Sequence, residues 1–80
     1  MNRQAVNELV ESMQDLLIIT DGEDYFQVGL AAERDKSLGF VTFREDKVSE
    51  VSIYEEGNTL AQLFATREVR ITKLLGGGSF

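Results

Sequence analysis

The chain contains no cysteine and no histidine. A disulfide is therefore excluded, and so are the ordinary zinc, copper and haem sites, which need thiolate or imidazole donors. The common catalytic dyads and triads go with them, because they rest on a histidine base or a cysteine nucleophile. Proline is absent too, so no X–Pro isomerisation slows folding. The longest apolar run is Leu16-Leu17-Ile18-Ile19, far short of the ~20 residues a membrane helix needs. Bases are scarce, with 8 Lys and Arg against 14 Asp and Glu and a net charge of −6. Such a surface repels phosphate backbones and disfavours nucleic-acid partners.

What remains is enough for one small domain. The chain has 80 residues, 42% of them apolar, a fraction that suits a packed core and is too high for a disordered segment. A chain of this length buries only roughly 60–65% of its unfolded surface. It must fold on apolar packing alone or gain burial by association. We expect a single α+β domain over residues 1–75 and a flexible Gly-rich tail over 76–80, where Gly76-Gly77-Gly78 precede Ser79 and Phe80. Met1-Asn2-Arg3-Gln4 runs straight into an amphipathic pattern, so no signal peptide is expected. With no cysteine this fits the reducing cytoplasm.

Val6, Leu9, Val10, Met13, Leu16 and Leu17 recur at three- and four-residue steps, which predicts an amphipathic helix over residues 3–17 with Asn2 as its N-cap. Thr20-Asp21-Gly22-Glu23-Asp24 reads as a turn. Three alternating strands follow. They cover Tyr25–Leu30, Phe40–Phe43 and Val48–Tyr54, with a tight charged turn at Arg44-Glu45-Asp46-Lys47 between the last two. The expected architecture is the N-terminal helix packed on a three-stranded antiparallel meander. Phe26, Val28, Leu30, Val41, Phe43, Val51 and Ile53 form its buried face.

A second helix should begin at Thr59 with Asn58 as N-cap and bury Leu60, Leu63 and Phe64. Beyond it two continuations compete. A helix running on to Leu75 keeps Ile71, Leu74 and Leu75 on one face but places Arg67 in the middle of it. A break near Arg67 and a short fourth strand over Glu68–Leu74 puts Val69 and Ile71 together, and the balance leans to the break.

Motifs with chemistry are few. Asp21-Gly22-Glu23-Asp24 is the densest oxygen cluster, but it lacks the spaced ligands of a calcium loop. The triple glycine leads into no helix and cradles no phosphate. Carboxylate pairs sit in turns and on wet faces, where nothing raises a pKa. No metal, cofactor or catalytic residue is therefore expected, and the chain reads as a non-enzyme. Helix, three strands, helix is also the element order of a double-stranded-RNA-binding domain. That module needs a basic start to its second helix, and here Glu55-Glu56 precede Asn58-Thr59.

Two surfaces stand out as partner sites. Tyr25, Phe40, Thr42 and Tyr54, with Ser52, should share the sheet face opposite the core, and aromatic residues of this kind are enriched at interfaces. Acid pairs at strand ends, Asp21 with Asp24, Glu45 with Asp46 and Glu55 with Glu56, could meet a basic surface on another protein, with Asp21, Asp24, Glu55 and Glu56 as the candidate contacts. The charge is uneven: residues 1–66 hold 13 acids and 5 bases, and residues 67–80 hold Arg67, Arg70 and Lys73 against Glu68. The reading from sequence is a small acidic protein-binding module of the regulator or inhibitor type. The alternative is a scaffold protein that self-assembles as a homodimer or larger homo-oligomer. Direct nucleic-acid binding is disfavoured by charge.

Overall fold

The structure, a computed structural model, describes residues 1–75; the expected tail at 76–80 lies outside them. Two helices and five strands follow one another as α1 (Arg3–Glu11), β1 (Leu16–Asp21), β2 (Tyr25–Leu30), β3 (Ser37–Arg44), β4 (Lys47–Ile53), α2 (Asn58–Phe64) and β5 (Arg70–Lys73). The strands form one mixed sheet in the order β1-β2-β3-β4-β5. The first four make an antiparallel meander, and β5 lies parallel to β4. A parallel neighbour cannot be reached by a tight turn, and α2 supplies the crossover. The α+β class holds. Four strands separate the helices, where the sequence pattern predicted three.

The extra strand comes from the segment expected to end the first helix. Asn2 caps α1 as predicted, its side chain accepting from Ala5 N–H at 2.8 Å. The helix then stops at Glu11. Ser12 Oγ donates to the Leu9 carbonyl at 2.6 Å. Met13 N–H reaches back only to Val10 O, the tightened last turn typical of a helix end. After it, Ile18, Ile19 and Thr20 are three successive β-branched residues, which lose χ1 freedom in a helix and suit a strand. Leu16 is buried in either reading, which is why its three- and four-residue spacing misled.

The second helix starts one residue earlier than expected. Gly57 occupies the N-cap position, Asn58 is the first helical residue, and no side-chain bond caps this end. The chain breaks after Phe64 and re-enters the sheet at Arg70, so the strand reading of this segment is the correct one.

One core fills the space between the helices and one sheet face. Val6 and Val10 of α1, with Leu60 and Phe64 of α2, pack on Phe26, Val28, Val41, Phe43, Val51 and Ile53. Each such side chain contributes about 1.5–3 kcal/mol on burial. Leu30, expected in this set, is only partly buried at its margin. Leu38 joins the core at 2% exposed, against its alternation with Phe40. The cause is a β-bulge, because Val28 pairs with Gly39 and Gly29 with Ser37, leaving Leu38 as the extra residue. Gly39 takes φ 156° there, and a Cβ on it would strike the Ser52 carbonyl. The bulge re-aims Leu38 inward.

Candidate partner-binding face

Alternation puts every second residue of β2, β3 and β4 on the side away from both helices. The register makes this face explicit. Tyr25 pairs with Thr42, Gln27 with Phe40, Phe40 with Ser52 and Thr42 with Glu50. Tyr25, Phe40 and Tyr54 form a diagonal across three strands. Tyr25 and Phe40 meet edge-on at 6.0 Å between centroids, and Phe40 and Tyr54 also lie 6.0 Å apart. All three, and Thr42, are half-buried. The residues expected on this face, Ser52 included, are thus brought together.

The face extends further than the sequence pattern indicated. Leu17 pairs with Gly29 on this side. Ile19 covers Gly29 so closely that any Cβ there would collide with it. Thr20 Oγ donates to Gln27 Oε1 at 3.0 Å, which pairs the amide oxygen of a glutamine only 7% exposed. These additions follow from β1, so a reading that placed residues 16–17 in a helix could not include them. Charge on this face is sparse. Glu50 and Arg70 approach to 3.8 Å, with Arg70 80% exposed, and Ser52 Oγ donates to Glu50.

The four expected carboxylates do not form one patch. The strand directions put Asp21 and Asp24 at the end where β1 turns into β2. Glu55 and Glu56 lie at the opposite end, beyond β4. Arg3 holds Asp21 in an ion pair and also donates to the carbonyls of Gly22 and Glu23. Glu56 is paired with Lys36 at 3.0 Å, and Glu33 lies 3.4 Å from the same ammonium. The hydrogen bonds it donates to Glu56 and then to Glu33 hold the Lys36 ammonium above its usual pKa of 10.5. Asp24 and Glu55 are exposed and carry no ion pair among the described residues. A recess of 360 Å³ opens beside Tyr54 and Glu55, with Asn58 and Lys73 on its other wall.

Among the described residues no three carboxylates gather closely enough to hold a metal ion, and no helix is long and apolar enough to cross a membrane. Comparison of the chain with protein-family models, with curated proteins and with solved structures finds no match.

Proposed function

We propose that this chain is a non-enzymatic protein-binding module that works through the open face of its sheet. One observation carries the reading. Both helices pack on the opposite face, and the uncovered one presents the Tyr25–Phe40–Tyr54 diagonal flanked by Leu17, Ile19 and Thr42. Aromatic residues with a polar tip suit a surface that is wet when free and buried when bound. Asp24 and Glu55, at opposite ends of this sheet, would meet basic groups at the rim of a regulated or inhibited partner. Rim charges of this kind mainly set association rate and salt dependence. The absence of cysteine suits a reducing compartment, and the cytoplasm is the proposed location.

A second reading uses the same face for a homodimer. Its support is the single charged pair, Glu50 with Arg70, which lets two copies stack without bringing net charge together. Sedimentation across micromolar concentrations separates the two. A strict monomer removes the homodimer, and a dimer broken by Tyr54→Glu supports it. For the module, immobilised chain and a Phe40→Ser/Tyr54→Glu variant are compared as baits at low and high salt. A protein kept by the first and lost by the folded variant supports the open face. Equal retention by both overturns it.

A further inference from the structure

β1 is an edge of the sheet, and its outward backbone groups follow from the ladder. Ala31 N–H donates to Asp15 O at 2.8 Å, and Leu17 faces Gly29 two positions on. Bonded and non-bonded positions alternate in an antiparallel pair, so Asp15 and Leu17 turn their backbone groups toward β2. Leu16 and Ile18 turn theirs away. The Leu16 N–H is taken by Met13 O at 3.3 Å. The Leu16 carbonyl and both groups of Ile18 remain, with no backbone partner among the described residues.

These groups border a groove of 360 Å³ between α1 and the strand, lined by Val10, Glu11 and Gln14 on the helix side and by Leu16, Leu17 and Ile18 on the other. The opposite edge of the sheet is different. β5 has four residues and is bracketed by Arg70 and Lys73, and charges at an edge oppose further pairing. β1 carries no charge from Leu16 to Thr20. Its one irregularity, between Ile18 and Thr20, leaves Leu16–Ile18 regular beside the groove. Any added strand is therefore short.

Charge identifies the occupant. Residues 3–33, which supply α1, β1 and β2, contain seven acids and one base; Arg3 pairs with Asp21 and Lys36 lies beside Glu33, and the other five acids carry no ion pair among the described residues. Glu11 lines the groove, and Asp15 lies at the start of the strand; both are exposed. A second copy paired β1 to β1 would set two such acidic regions against each other, which like-charge repulsion disfavours. We propose that this edge and groove take an extended segment of another protein, apolar at alternate positions and flanked by Lys or Arg, as a sixth strand. Main-chain bonds centred on Ile18 would supply affinity, and the groove would read alternate side chains. This site shares Leu17 with the margin of the aromatic face but none of Tyr25, Phe40 and Tyr54, and it stands or falls without them.

The test uses the capped peptide Lys-Lys-Val-Thr-Val-Thr-Val-Lys-Lys titrated into the full ¹⁵N-labelled chain. We expect amide shifts confined to Asn7–Ile18 and binding about tenfold weaker in a Glu11→Lys/Asp15→Lys variant. The same peptide N-methylated at its central valine should lose binding, and this probes backbone pairing without altering the protein. A Phe40→Ser/Tyr54→Glu variant should bind it unchanged. The proposal is overturned by shifts centred on Tyr25, Phe40 and Tyr54, by equal binding of the N-methylated peptide, by no binding, or by β1 shifts that appear with protein concentration alone.

Discussion

Arg3 closes one end of the core. Its guanidinium stacks 4.5 Å from the Phe26 ring centroid and 5.2 Å from that of Phe43, two rings that themselves meet edge-to-face at 4.9 Å. Its N–H groups bind Asp21 and the carbonyls of the β1–β2 turn. Planarity allows stacking and forked bonding together, which lysine cannot match. Arg3→Ala should therefore cost about 1–2 kcal/mol in urea unfolding, with Arg3→Lys recovering only part of it. Gly39 is the second sensitive residue. Gly39→Ala forces a side chain into a conformation glycine alone tolerates, and the loss should be about 3 kcal/mol. Leu38→Ala, which empties the site the bulge fills, should cost about 2–5 kcal/mol. Lys36 gives a pH signature. Its raised pKa in the folded chain means its contribution is fully present below pH 10.5 and is lost as pH rises above that value. In Lys36→Met the urea midpoint should change less across that boundary, and by a small amount because the group is exposed.

The β3–β4 turn shows how far an element can be read in advance. Arg44-Glu45-Asp46-Lys47 was legible as a tight hairpin, and Arg44 does pair with Lys47 across a two-residue loop. Glu45 and Asp46 both take positive φ, 52° and 64°, the conformation of a type I′ turn. Glutamate is not favoured there and aspartate is second to glycine, so Glu45→Asn with Asp46→Gly should stabilise the chain by about 1 kcal/mol in thermal or urea unfolding. β2 was legible to the residue because its alternation is strict and its turn signals are strong. β1 was not. Leu16 to Ile19 are apolar on both sides, since one side meets the core and the other lies on the open face. A continuous apolar run does not distinguish helix from strand by period. The missed strand carried with it Leu17 and Ile19, part of the candidate site. The bulge at Leu38 escaped for a different reason: a one-residue shift leaves no mark on the alternation until its partner strand is known.

Across the molecule, charge and shape divide the surfaces by role. Glu11 and Asp15 flank the β1 edge, Arg70 and Lys73 bracket the β5 edge, and the broad face between them is nearly uncharged. Binding at the open face should therefore be the less salt-sensitive of the two, and binding along β1 should weaken steeply with ionic strength. Titrations at two salt concentrations check this contrast directly.

Some properties belong to the chain before it folds. Lacking cysteine and histidine, it has no disulfide and none of the chemistry that needs a thiolate or an imidazole. Its net charge of −6, the aromatic residues on alternate strand positions and the existence of both helices are equally local, because composition and period are local. Pairing is not. That Leu16 begins an edge strand, that Leu38 turns inward, and that Tyr25, Phe40 and Tyr54 meet while Asp21 and Glu55 part to opposite ends were decided only when strands found their neighbours. Register and strand direction depend on residues far apart in sequence, and no single segment carries them.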